Sequence, residues 1–376
     1  MTWMGKAQQI RRQNMKVNAV AGKLFSMLRE DGQRCCVLKG QGNALMYPNP
    51  YSRTPGDIDV WINASRERIM EYAQKKFELE DDIRLQHLET SLDGVPVELH
   101  FFPCSMNNPI YHARLQKWFR RNADLQCSHI VGLPDGAGDI AIPTTAFNVV
   151  YQLTHLYHHF FDEGIGMRQI IDYFLVVNDF SKNVFLNNDL SNHPVNFSNH
   201  PVPLSKEGST FSPSPSSSGS GDVTAPSRCS EPLRSKDGGP SKVSPDCAGW
   251  DRLGGNGDTT STALDVVQRE LKYLGLWKFA GAVMYVLHEA LGLSEEKMIA
   301  PMDEKRGKLL LAEILNGGNF GRHFTKYGHF TQQGMAKKYF LKIWRNMHFV
   351  RYFPAEALSE PIFRTLHFFW RLKHRR

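Results

Sequence analysis

The sequence predicts an α+β fold: helices and strands alternate in the first part, and an all-helical region follows, split by a disordered insertion. Three observations lead there. Short apolar runs of strand length alternate with amphipathic stretches up to about residue 180. Apolar residues at helical spacing dominate from about residue 262 to the end. Between them lies a tract rich in Ser, Pro and Gly, which buries too little apolar surface to offset the entropy of ordering it.

In the first part, Val17, Val20, Ala21, Leu24, Met27 and Leu28 share one helical face and predict a helix over 17–30, ended by Asp31-Gly32. Cys35-Cys36-Val37-Leu38 predicts a buried strand, and 57–62 a second. Ser65 suits the N-cap of a helix reaching about residue 79. Segments 83–92 and 95–102 flank Asp93-Gly94, a dipeptide that tolerates the positive φ angles of a tight hairpin turn. Pro143 opens a helix that continues to about residue 160, and another starts over 167–177.

The chain has 376 residues, a formal net charge of +7 and a pI near 9.0, a balance that suits phosphate-bearing ligands, nucleic acid or an acidic surface alike. From Met335 onward there are ten Lys or Arg against two Glu, interleaved with aromatic residues. That pattern reads as a helix pair with an aromatic core face and a solvated basic face, so no stable nucleic-acid partner is expected. The opening MTWMGKAQQIRRQNMK lacks the apolar segment of a signal peptide, and the apolar stretch 279–293 is short and broken by His288 and Glu289. The six cysteines include no CxxC pair and read as reduced thiols. A cytoplasmic protein without a transmembrane segment is the expectation.

The chemistry concentrates in Gly56-Asp57-Ile58-Asp59-Val60-Trp61-Ile62. On a strand, Asp57 and Asp59 project from one face while Ile58, Val60 and Ile62 project from the other. Two adjacent carboxylates repel, and a divalent cation removes that cost; Mg²⁺ suits hard oxygen donors and phosphates, with Mn²⁺ as a substitute. In Val95-Pro96-Val97-Glu98-Leu99-His100-Phe101, the apolar residues take one face and Glu98 emerges on the other, with His100 beside it. If the two strands are neighbours, Asp57, Asp59 and Glu98 form the convergent metal-binding and catalytic set that two-metal phosphoryl transfer uses. Upstream, Lys39-Gly40-Gln41-Gly42 is a strand-to-helix turn whose amides suit a triphosphate, with Lys39 and Arg53 adding positive charge. It is not a dinucleotide-binding loop, since Leu45 stands at the third glycine position, and no GK[ST] makes it a P-loop. Arg168 is spaced for an ion pair with Asp172 and is also a candidate phosphate ligand. His155, His158, His159 and Asp162 lie on an aromatic helix; the histidines read as hydrogen-bonding groups rather than a zinc site.

These residues resemble a known family. The string LKGQGNALMYPNPYSRTPGDIDVWI, followed by VELH and GIGMRQIIDYFLVV, looks like the uncharacterised bacterial nucleotidyltransferase family of the polymerase-beta-like superfamily. The resemblance implies a mixed sheet flanked by helices and a following helical domain. It also implies Mg²⁺-dependent transfer of a nucleoside monophosphate from an NTP to an unidentified acceptor. Gly40, Asp57, Asp59 and Glu98 match the pattern, whereas the turn reads Gly-Gln instead of Gly-Ser and stands further from Asp57 than usual. On this reading the catalytic domain spans 1–142, the helical domain starts over 143–181 and resumes over 259–376, and the disordered insertion occupies 182–258. A sugar-nucleotide glycosyltransferase with a metal-binding DxD is the alternative enzyme, although Asp57 comes early in the chain for that architecture. A non-catalytic nucleotide-binding protein is the third possibility.

Overall fold

Alternation along β2 (Ile58–Ile62) sets the two faces of the sheet. Ile58, Val60 and Ile62 pack with Cys35 and Val37 of β1 (Cys35–Leu38) and with Val95, Val97 and Leu99 of β4 (Val95–His100). Trp61, on the opposite face with Asp59, joins a second core together with Cys36 and Leu38. With β3 (His87–Leu92) the strands lie in the order β1-β2-β4-β3; only the β2–β4 pair is parallel, so the sheet is mixed. The β3–β4 hairpin turns at Asp93 and Gly94, with φ of 50° and 70°, as that dipeptide requires. This computed structural model describes residues 2–79, 84–189, 262–317 and 335–374. The predicted insertion falls outside the described residues, apart from its first few positions.

Helices α1 (Trp3–Glu30) and α3 (Arg66–Lys76) cover the first face. Leu24, Phe25 and Leu28 of α1 and Ile69 and Ala73 of α3 are buried against it. α1 starts at Trp3 rather than at residue 17, because its first turns carry exposed helix-forming side chains with no apolar stripe to reveal them. Ser65 caps α3 as expected, its hydroxyl accepting from the Arg68 amide at 3.4 Å. A separate hairpin of β5 (Ile130–Gly132) and β6 (Asp139–Ala141) closes this core with Leu133 and Ile140. Its turn lies so close to α1 that a Cβ on Gly22 would sit 2.1 Å from the Ala137 carbonyl oxygen.

The second face is covered by α4 (Pro109–Ser128) and α5 (Thr145–Asp162). Asn108 caps α4, accepting from the amides of Ile110 and Tyr111 at 3.1 and 3.2 Å. Trp118 stacks on Phe147 with centroids 4.4 Å apart, and Trp61 lies parallel to the same ring at 6.3 Å. α6 (Met167–Asp189) follows α5 and runs past the predicted boundary at residue 181. After the insertion come α7 (Ala263–Tyr273), α8 (Trp277–Leu291), α9 (Glu304–Gly317), α10 (Met335–Met347) and α11 (Pro354–His374). Tyr157 and Phe160 of α5 meet Phe279 of α8 and Phe349, joining these helices to the first part; the Phe160–Phe349 centroids are 4.6 Å apart. Among the described residues no helix is long and apolar enough to cross a membrane.

Gly22→Ala should destabilise the protein by about 1–3 kcal/mol, because backbone rather than a flexible side chain blocks the added methyl. Chemical denaturation measures this; an unchanged midpoint would show that α1 does not sit against the β5–β6 turn as described.

Candidate active site

The parallel register of β2 and β4 sets Asp59 directly opposite Glu98. On the other side of β2, Leu38 of β1 opposes Asp59, so Lys39 leaves the sheet beside that carboxylate. Asp57 lies just ahead of β2 and is exposed. All four residues line a cavity of about 300 Å³, whose other walls include residues of α5 and α6.

Lys39 has φ of 51°, a left-handed conformation that costs a non-glycine residue about 1–3 kcal/mol. That turn directs its ammonium into the cavity, 3.3 Å from Asp59 Oδ2, where it donates to His155 Nε2 at 2.8 Å. His100, only 2% exposed, places Nε2 3.0 Å from Asp59 Oδ1 and 3.1 Å from Glu98 Oε2. These contacts set the protonation balance. Burial alone would raise the Asp59 carboxyl, but Lys39 and His100 outweigh it and hold the group well below the usual carboxylate range. Glu98 is likewise lowered: burial pulls it upward, but the hydrogen bond and charge of His100, together with His87, outweigh that. Burial opposes the charged form of His100, yet its bonds to both carboxylates push it up to about 9. Asp57 is raised, first because the surrounding cleft strips part of its hydration and then by the negative charges of Asp59 and Glu98.

Of the nucleotide-binding residues expected from the sequence, Lys39, Gly40, Arg53 and Arg168 line the cavity, while Gln41 and Gly42 do not. Gln41 is buried on the far side of α2 (Gly40–Ala44), where its amide donates to Asn18 Oδ1 of α1. Gly42 faces Ile142, whose Cγ2 would lie 3.0 Å from an added Cβ. Arg53 is not a free phosphate ligand: its Nε and Nη2 both donate to Asp172, at 2.9 Å each, and Tyr47 Oη adds a 2.7 Å bond to the same carboxylate. A guanidinium buried to 7% exposure needs such a partner, and the carboxylate matches its fork. Asp172 therefore pairs with Arg53 rather than with Arg168, which reaches the Thr54 carbonyl at 3.4 Å. His155 and His159 act as hydrogen-bonding groups, with His155 holding Lys39 and burial pushing His159 down to about 3.

Two features escaped the sequence reading. Asn43 of α2 and Gln152 of α5 exchange amide hydrogen bonds of 3.0 and 2.7 Å, locking the turn after β1 against the helical layer. His87 stands opposite His100 across the β3–β4 ladder. With Glu98, these two histidines form a set of potential metal donors whose ligand atoms lie within 4.8 Å of one another. The period-two spacing of Glu98 and His100 and the hairpin register would have located His87.

A model of a family described as uncharacterised nucleotidyltransferases matches residues 1–191, half of the chain and all the cavity-lining residues. The protein belongs to this family of uncharacterised nucleotidyltransferases. Membership supports nucleotidyl transfer as the general function, with an NTP as the substrate class. The structure is similar to that of an antigenic nucleotidyltransferase-like protein from Paracoccidioides brasiliensis, at 16% identity and a TM-score of 0.29, over 46% of this chain and 85% of that one. No curated protein matches the sequence significantly.

Two outcomes follow from the geometry. Replacing Asp172 by Ala leaves the buried Arg53 charge without its partner and should cost about 3–5 kcal/mol, read by chemical denaturation; a change below 1 kcal/mol would show that the pair is not buried in solution. In metal-free protein, His100 binds its proton more tightly folded, at about 9, than an ordinary histidine near 6.5. Its contribution to stability is therefore fully present below about pH 6.5 and lost as the pH rises through about 9. Thermal melts should show that decline in the wild type and a flatter profile in His100→Gln; parallel profiles would contradict it.

Proposed function

We propose that the cavity binds an NTP with a divalent cation and transfers its nucleoside monophosphate to a hydroxyl or phosphate acceptor. The observation that carries this reading is the parallel β2–β4 register, which sets Asp59 beside Glu98 with Asp57 at the cavity's exposed edge. Asp57, Asp59 and Glu98 offer the hard oxygen donors that Mg²⁺ favours, with Mn²⁺ as a substitute. The carboxyl of Asp57 is raised by its partial loss of hydration in the cleft and then by the charges of Asp59 and Glu98, and a cation there would relieve that repulsion. When bound, the metal would neutralise charge on these carboxylates and on the triphosphate.

The chain's own residues supply the rest. Lys39 and Arg168 carry the positive charge for the phosphates, and Gly40, with φ of 38° and no side chain, leaves its backbone open to the cavity. Arg53 serves at one remove, since its pair with Asp172 fixes the segment leading into Asp57 against α6. In the reaction, the bond between the α-phosphorus and the oxygen bridging to the β-phosphate breaks, and pyrophosphate leaves. The acceptor oxygen bonds to the α-phosphorus, and the proton of a hydroxyl acceptor passes to a carboxylate, a role this reading gives to Glu98, opposite Asp59 on the neighbouring strand.

The test is incubation with α-labelled NTPs, Mg²⁺ and a panel of sugar-phosphate, small-molecule, protein and RNA acceptors, with products read by mass spectrometry. Asp57→Asn and Asp59→Asn should each lower turnover at least ~10²-fold, about 3 kcal/mol of transition-state stabilisation. Glu98→Gln should cost a similar factor while Mg²⁺–NTP binding persists. Consumption of UDP-sugars instead of NTPs would favour glycosyl transfer, and NTP binding without any product would favour a non-catalytic binding protein.

A further inference from the structure

The strands β3 and β4 place two imidazoles around one carboxylate on rigid elements. His87 opposes His100 across the ladder, with ring centroids 5.0 Å apart, and Glu98 lies two residues before His100 on the same face. Glu98 Oε2 is 3.1 Å from His100 Nε2 and 3.4 Å from His87 Nδ1. A tetrahedral site with metal–ligand bonds of about 2.1 Å separates its ligand atoms by about 3.4 Å.

His87 gives an independent sign. Its side chain is 12% exposed, both ring nitrogens are buried, and neither makes a hydrogen bond among the described residues. Buried polar nitrogens are nearly always satisfied, so a pair of them beside a carboxylate and outside hydrogen-bond geometry suits a bound cation. Glu89 Oε1, the other oxygen nearby at 3.5 Å, is already held by Arg84 at 2.7 Å. His87 also lines both the main cavity and an adjoining one of about 180 Å³, so a fourth coordination position there would open to solvent or substrate.

We propose that His87, Glu98 and His100 bind a borderline transition-metal dication, zinc above all, at a site with nitrogen donors that the all-oxygen magnesium set does not have. Two imidazoles and one carboxylate with an open fourth position suit zinc, whereas magnesium prefers oxygen throughout. The site shares Glu98 with the nucleotidyl-transfer reading and touches it at His100, whose Nε2 would give up its proton and its bond to Asp59 for the metal; otherwise it does not depend on that reading.

The experiment uses the full-length chain stripped with chelator and titrated with Co²⁺, a spectroscopic stand-in for zinc, in the presence of saturating Mg²⁺. A single high-affinity ion with intense visible absorption, displaced by Zn²⁺ and not by Mg²⁺, is expected. His87→Ala should weaken Co²⁺ binding at least about 100-fold, since even outer-sphere partners of metal ligands cost about 10–100-fold. Should that variant misfold by circular dichroism, His87→Asn provides the same comparison. Equal Co²⁺ affinity in wild type and the folded His87 variant, or displacement by Mg²⁺, would overturn the proposal. Asp57→Asn separates the two readings: it should lower nucleotide turnover at least ~10²-fold and leave the Co²⁺ spectrum in place. Absence of nucleotidyl transfer with every cation would sink only the earlier reading.

Discussion

Asp59 sits inside a sheet with Glu98 at the same level on the neighbouring parallel strand, and the surroundings answer the cost of that pairing. A buried carboxylate with no partner would take up a proton instead of staying charged. Lys39 approaches one oxygen of Asp59, and His100 approaches the other while also reaching Glu98. To bring Lys39 there, the backbone adopts a left-handed conformation at the end of β1. That strain persists because β1 is fixed by pairing with β2 and because the Asn43–Gln152 amide exchange holds the short helix that follows.

The same logic extends to the helices. α5 supplies His155, which accepts from Lys39 and fixes the ammonium between an acid and an imidazole. α6 supplies Asp172, which anchors Arg53 and so the segment that delivers Asp57. The cavity is thus built where the sheet meets the helical layer. Asp59 and Glu98 come from strands and Asp57 from the segment just ahead of one, while His155 and Asp172, which position Lys39 and Arg53, come from helices. An arrangement of this kind, rigid acids with positive groups held nearby, is what charge stabilisation in phosphoryl transfer needs.

Much of this was legible in the sequence where the information is local. The alternation over residues 57–62 put Asp59 opposite the apolar face, Asp93-Gly94 placed the hairpin, and Ser65 placed a helix start. The rest depended on partners far along the chain. The four-residue spacing of Arg168 and Asp172 fits an ion pair, but Arg53, 119 residues away, takes that carboxylate because the fold brings it there. Gln41 follows Gly40, yet each helical residue turns about 100° from the last, so the two cannot both face the cavity. α4 was missed although Asn108-Pro109 signals its start, because Asn122 and Gln126 are buried among Leu115, Trp118, Phe119 and Ala123 and blur the apolar stripe.

The central claim is that Asp57 and Asp59 hold the cation that accompanies an NTP, with Glu98 beside them serving the acceptor. Anomalous diffraction from crystals containing Mn²⁺ and a nucleotide non-hydrolysable between its α- and β-phosphates tests it most directly. The account predicts a manganese peak bridging Asp57 and Asp59, within reach of Glu98, with the triphosphate turned toward Lys39. Nucleotide bound elsewhere, or manganese absent from these three carboxylates in a crystal that contains the nucleotide, would contradict it.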